Sequence, residues 1–291
     1  MPAQTRIIHY YVCLGAAGGK ECEVIMRKIK VEELKKIQIQ ILDIVDTYCR
    51  NNNVNYWIDS GTLLGAVRHK GYIPWDDDID LGMLRKDYEV FVEKFNKSNN
   101  RYKCCTMENT HDFPFAFAKV MDTETVLYEP NKEEGIKLSI NIDIFVYDNA
   151  PDDVEQLKAM YDGRDKNINW YRRRILPKWT SGSRIKKIIR YIFCLLLKIV
   201  PRQFFVNKIN KNIKQYDEKD TGYVGNFTAD SRILCSKEVF DSFIDIEFEG
   251  KKYKAPVGYD KWLRTFYGDY MQLPPVEKRI SRHSFEAYVK E

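Results

Sequence analysis

Apolar residues recur along this chain at two spacings. Leu34, Ile37, Ile41, Leu42, Val45 and Tyr48 fall three or four apart, which predicts a helix over residues 31–50. The run RNNNVN ends it. Tyr88, Phe91, Val92 and Phe95 share a face and predict a second helix over residues 85–97. Between the two, YWID reads as a short strand. SGTLLGAVRHKG follows, punctuated by Gly61, Gly65 and Gly71; Ser60-Gly61-Thr62 reads as a turn, and Pro74 ends whatever precedes it. DIDLGM alternates acidic and apolar residues and reads as a strand. FPFAFAKVMD and TVLY predict two more. The strongest strand is KLSINIDIFVYD, where Ile140, Ile142 and Ile144 alternate with Asn141, Asp143 and Phe145. DNAPDD is a turn and helix start, and residues 184–200 predict an apolar, basic helix. From residue 221 the pattern is short strands and turns around Gly222, Gly225, Gly250 and Gly258. There is no internal repeat. The sum is an α+β fold, a mixed sheet flanked by helices and followed by a more helical region.

With 291 residues, 44% hydrophobic and 13% aromatic, the chain has the material for a packed core and is no disordered polymer. The net charge of +5 is unevenly spread. Residues 166–216 hold fourteen Lys or Arg and no Asp or Glu, which leaves −9 on the rest. Such segregation predicts a negatively charged surface partner. The seven cysteines (13, 22, 49, 104, 105, 194 and 235) show no C-x-x-C spacing, so they read as reduced thiols and neither as a disulfide framework nor as a zinc site. The first 25 residues differ in character from the rest of the chain. RIIHYYVCLGAAGG resembles a weak signal peptide, but His9 and two tyrosines interrupt it. MRKIKVEELKK, from Met26, reads as a natural start, which makes residues 1–25 an upstream extension.

The chemistry concentrates in GYIPWDDDIDLG, where Asp76, Asp77, Asp78 and Asp80 crowd into five positions. Like charges at this spacing repel and call for a compensating cation. On a strand, Asp78 and Asp80 share a face with Cβ atoms roughly 6–7 Å apart, while Ile79 and Leu81 point into a core. Asp143, set between Ile142 and Ile144, repeats the pattern and belongs on a neighbouring strand. Three carboxylates so placed suit Mg²⁺ or Mn²⁺ and phosphoryl transfer. Ser60, Gly61 and Thr62 offer N–H groups and hydroxyls to phosphates, and Arg68, Lys70 and Lys119 add positive charge. A calcium-binding loop is the rival, but its sixth position needs glycine and holds Leu81, and its twelfth holds Asp87 in place of glutamate.

SGTLLGAVRHKGYIPWDDDIDLGM is similar to the signature of the LicD family, the phosphocholine transferases of bacterial surface glycans. The likeness extends from Met26 through KVMDTET and NIDIFVYDNAP to the closing YGDYMQLPP and RHS. That family resembles fukutin-related proteins and groups with the nucleotidyltransferase superfamily, whose pattern is Gly-Ser, Asp-x-Asp and a later lone Asp. Here those positions are Ser60-Gly61-Thr62, Asp78 with Asp80, and Asp143. The gap from Gly61 to Asp78 is longer than is typical of the superfamily, and the zinc-binding cysteines of fukutin-related proteins have no counterpart here.

The resemblance implies a nucleotidyltransferase-like mixed sheet and the transfer of phosphocholine from CDP-choline to a sugar hydroxyl, releasing CMP. The acceptor would be a teichoic acid, lipopolysaccharide or capsule precursor, including lipid-linked ones. It implies catalytic roles for Asp78, Asp80, Asp143 and Lys119, with the three aspartates holding the metal. Ser60, Gly61, Thr62, Arg68, Lys70 and Trp75 would bind substrate, and Asp76 and Asp77 would fix the loop. The domains then run as an extension (1–25), a catalytic core (26–165), a basic amphipathic helical segment (166–216) and the rest of the same domain (217–291). The alternatives are transfer of ribitol or glycerol phosphate from a CDP donor, and an inactive membrane-associated assembly factor. The intact carboxylate set argues against the last.

Choline is a quaternary ammonium ion and suits aromatic faces. Trp57, Tyr72, Trp75, Trp262, Tyr267 and Tyr270 are candidates, against a background of 39 aromatics that mostly pack. His69 and His283 fall in the matching motifs and read as structural or phosphate-contacting, whereas His9 and His111 carry no signal. In the basic stretch the uncharged run YIFCLLL is seven residues, too short to span a bilayer. It fits either a helix at an anionic membrane surface or a helix packed on the core with a solvated basic face. No nucleic-acid motif accompanies the charge, so nucleic acid is not an expected partner. The expected location is cytoplasmic, with peripheral attachment at the inner face of the cell membrane.

Overall fold

The computed structural model describes residues 5–11, 21–128, 138–175, 183–219, 221–281 and 285–290. His283, Cys13 and Lys178 lie outside the described residues. Strands β1 (Thr5–Tyr11) and β2 (Glu21–Ile29) form an antiparallel hairpin, and Met26 sits in the middle of β2. Helix α1 (Val31–Asn51) buries Leu34, Ile37, Ile41, Leu42 and Val45, with Glu32 and Glu33 in its first turn and Arg50 in its last, signs that suit the helix dipole. Strand β3 (Trp57–Ile58), helix α2 (Ser60–His69), strand β4 (Asp80–Leu84) and helix α3 (Arg85–Ser98) come after it.

Next are β5 (Tyr102–Cys105), β6 (Ala118–Asp122), β7 (Thr125–Tyr128) and β8 (Asn141–Ala150). Three helices, α4 (Val154–Ile175), α5 (Arg184–Ile199) and α6 (Arg202–Ile213), form the basic region. The chain closes through β9 (Tyr223–Asn226), β10 (Leu234–Ser236), β11 (Phe243–Phe248), β12 (Lys251–Pro256), α7 (Tyr259–Tyr267) and β13 (Glu286–Lys290).

Two expectations change. SGTLLGAVRHKG is largely a helix, because its glycines serve close packing instead of turning. A Cβ at Gly65 would lie 2.4 Å from the Gly71 carbonyl oxygen, and one at Gly61 would lie 2.7 Å from Asp76 Oδ2. The chain turns only at Lys70, whose φ of 60° ends α2 in the left-handed region. Residues 259–267, within the part read as strands and turns, form helix α7, a short element that buries only Trp262 and Leu263. Helix α4 runs unbroken from Val154 to Ile175.

The main sheet is mixed, in the order β10-β9-β8-β4-β3. Its centre is β8. Strand β4 runs parallel along one edge of it, while β6 and β9 pair antiparallel with successive halves of the other edge. A second sheet, β1-β2-β13-β7, joins the two chain ends, and β11-β12 is a separate hairpin whose turn holds Glu249 and Gly250 at positive φ. One apolar core lies between the main sheet and α1–α3 and contains Ile41, Leu81, Phe91 and Ile144. A second lies under α4 and α6, around Tyr161, Tyr171, Val206 and Phe227. Gly82 permits the tightest contact of the first core: a Cβ there would fall 2.3 Å from the Trp57 indole.

Candidate active site

The parallel register of β4 and β8 sets Asp80 directly across from Asp143, and the antiparallel register of β6 sets Lys119 across from Asp143 on the other side. The alternation of acid and apolar residues dictates this, since Ile79, Leu81, Ile142 and Ile144 fill the core beneath. Asp78 lies just ahead of β4, where Asp143 N–H donates to the Ile79 carbonyl at 2.9 Å. The Lys119 ammonium pairs with Asp143 and donates to Asn141 Oδ1 at 3.0 Å, over the rings of Phe115 and Phe117. Burial, followed by the charges of Asp78 and Asp143, pushes the Asp80 carboxyl well above its ordinary value.

Helix α2 starts beside these acids. Ser60 has a φ of 46°, a left-handed conformation at the first helical residue. Thr62 Oγ1 accepts from Asp80 N–H at 2.8 Å, which fixes the helix start to the strand start. Asp59, just before the helix, is fully buried. Its carboxylate accepts from Tyr147 Oη at 2.5 Å and Trp262 Nε1 at 2.8 Å, and burial pushes its carboxyl upward. Its N–H donates to the Asp80 carbonyl at 2.9 Å. The acidic loop is held from below as well. Gln38 of α1 donates to the carbonyls of Asp77 and Asn141, and Ser281 Oγ donates to the Asp77 carboxylate at 3.0 Å.

A cavity of about 700 Å³ opens onto this corner. Ser60, Gly61, Arg68, Trp75, Asp76, Asp78 and Asp80 line it from one side, and Tyr267, Asp269, Tyr270, Gln272 and Lys278 from the other. A smaller one of about 90 Å³ holds Lys119 and Asp143, and Asp78 borders both. Thr62 is buried behind the wall, and Lys70 is exposed at the end of α2, outside the lining. Of the candidate aromatics, Trp75, Tyr267 and Tyr270 face the large cavity. Trp57 and Trp262 are core residues, and Tyr72 is turned to Gln38. Arg68 donates to the Tyr270 carbonyl at 2.8 Å, and His69 accepts from Arg68 Nε at 2.9 Å. Gln38, Asp59, Asp269 and Lys278 were not among the expected site residues. The stretch YGDYMQLPP holds Asp269, but only the fold reveals that it closes the cavity.

Among the described residues, no three His, Cys, Asp or Glu side chains form a ready-made metal cage. The donor set nonetheless suits Mg²⁺, which takes one or two carboxylates and completes its shell with water and substrate phosphate. Asp78 and Asp80 offer hard oxygens to the large cavity, while Asp143 is engaged by Lys119.

The mixed sheet carries its acids beside a helix N-terminus, and the comparisons place this arrangement among nucleotidyltransferase-type domains. Residues 53–181 match the family described as LicD/FKTN/FKRP, nucleotidyltransferase domain. The chain is 32% identical to the lipopolysaccharide cholinephosphotransferase LicD of Haemophilus influenzae over 277 residues, 91% of this chain and 100% of that relative. A 34-residue stretch, 12% of this chain and 7% of the relative, is 56% identical to the ribitol 5-phosphate transferase FKRP of Homo sapiens. The chain belongs to the LicD family and is a transferase.

Proposed function

We propose that the protein transfers phosphocholine from CDP-choline to a sugar hydroxyl of a bacterial cell-surface glycan such as lipopolysaccharide or teichoic acid. The observation that carries this reading is the juxtaposition of Asp80 and Asp143 across β4 and β8, with Asp80 in the wall of a cavity large enough for a nucleotide and Asp143 in the smaller cavity next to it. The full-length likeness to a cholinephosphotransferase points to the alcohol. In the reaction the acceptor oxygen attacks the phosphorus that bears choline. The bond from that phosphorus to the bridging oxygen breaks, CMP leaves with the electron pair, and the hydroxyl proton passes to Asp143. Mg²⁺ held by Asp78 and Asp80, with Asp143 completing the set, would neutralise charge on the phosphate oxygens. Lys119 holds Asp143 in place and brings positive charge towards the transferred group. The N-terminus of α2, with Ser60 and Gly61, suits the diphosphate. Trp75, Tyr267 and Tyr270 offer ring faces for the trimethylammonium group.

The short likeness to a ribitol 5-phosphate transferase favours a second reading, in which the same residues act on CDP-ribitol. Isothermal titration of CDP-choline, CDP-ribitol and CDP-glycerol, with and without Mg²⁺, separates the two. Mg²⁺-dependent binding of CDP-choline alone is expected. Preference for another CDP-alcohol would change the substrate, and absence of binding by all three would overturn the transferase reading of the cavity.

A further inference from the structure

Helix α5 is amphipathic the wrong way round for a helix of a water-soluble fold. Ile185, Ile188, Ile192, Leu195, Leu196 and Ile199 recur at helical spacing on one face, and each is 46–78% exposed. The residue that α5 buries is Cys194, on the opposite side, while Phe193 rests against Trp170 of α4 at 5.7 Å between ring centres. An ordinary surface helix turns its aliphatic stripe to the core and its charges to water. Here the stripe faces outward, with Arg184 on one flank and Lys186 on the other, and Lys187 and Lys198 further round the exposed helix.

We propose that α5 is a docking surface for an anionic lipid bilayer, lying in the headgroup layer with its isoleucine stripe inserted. A helix of sixteen residues is about 24 Å long and fits along the membrane plane. No helix among the described residues is long and apolar enough to cross a membrane, so α5 lies on the bilayer and does not span it. The cations at its borders meet anionic headgroups, and residues 166–216 contain no acidic residue to oppose them. That charge also disfavours a second copy as the occupant. Two such segments brought together would oppose like charges, and the stripe is wider than a two-residue coiled-coil seam because Ile189 and Leu196 extend it. The surface stands independently of the reaction proposed above.

The test is flotation of the full chain with vesicles of phosphatidylcholine alone and of phosphatidylcholine mixed with phosphatidylglycerol. Co-flotation with the mixed vesicles and not with the neutral ones is expected, weakening as salt rises. The triple substitution Ile188→Gln, Ile192→Gln, Leu196→Gln should abolish it while leaving the melting curve unchanged, because the three side chains are exposed and glutamine favours helix. Lys186→Gln with Lys187→Gln should weaken binding roughly ten- to thirtyfold. Absence of flotation, equal flotation on both vesicles, or undiminished flotation of the triple variant would each overturn the proposal. So would a concentration-dependent dimer, seen by sedimentation without flotation and lost in the triple variant, which would give the stripe to a second copy.

Discussion

Around β4 and β8, aliphatic side chains point into the core and acids face the cavity, whereas along α5 the aliphatic side chains face outward and a cysteine is what the helix buries. Both are departures from ordinary folding economy, in opposite directions. Crowding Asp76, Asp78 and Asp80 costs electrostatic energy, and exposing the α5 stripe forgoes roughly 1.5–3 kcal/mol for each aliphatic side chain left unburied. Neither arrangement improves the isolated fold. The crowded acids are the ground for the cation and phosphate proposed at one region, and the exposed stripe is the ground for the anionic lipid proposed at the other.

The contrast is sharpened by substitutions that should affect one region alone. Asp80→Asn should lower transfer by about 10²–10³-fold or more while leaving the melting temperature unchanged or raised, since it relieves repulsion among the acids. Turnover assays with melting curves check this, and normal turnover would remove Asp80 from the site. Asp78→Asn should behave alike, with turnover lost and the melting curve nearly intact. Lys119→Met should lower turnover by about 10²-fold, because Asp143 loses its partner across the sheet. The measurement is kcat with KM, and a change confined to KM would point to a binding role alone.

Gly82→Ala should destabilise by about 2 kcal/mol through the clash with Trp57, read by denaturant unfolding, and should leave vesicle binding by α5 intact. The smallest effect belongs to Asp217, whose carboxyl is pushed up to about 7 by burial and by Asp148. Between its ordinary value of 3.8 and about 7 the folded chain keeps a proton that the unfolded chain releases, so stability falls as pH rises through that window. Asp217→Asn should remove that slope and stabilise by about 1 kcal/mol above the window, with no gain below it. Unfolding curves across pH check it.

How much of this was legible in sequence depends on where each signal lies. The facing of Asp80 and Asp143 was, because strict alternation fixes which face of a strand an acid occupies. Helix α2 was not, because Gly61 and Gly65 look like turn residues until Asp76 and Gly71 are seen pressed against them. Gln38 sits on the apolar face of α1, and periodicity says nothing about the carbonyls of Asp77 and Asn141 that it reaches. Asp269 and Lys278 are about two hundred positions from Asp78, so their place in the cavity is a tertiary fact. For α5 the sequence predicts the helix but not its orientation. Aliphatic and cationic residues alternate in the same way whether the stripe faces the core or the outside.

The most direct test of the central claim is CMP release from CDP-choline in the presence of a glycan acceptor, measured for the wild-type chain and Asp80→Asn, with Mg²⁺ and with a chelator. Release by the wild type with Mg²⁺, lost both on chelation and in Asp80→Asn, is the predicted result. Release that survives both would contradict the assignment of the β4–β8 carboxylates to the reaction.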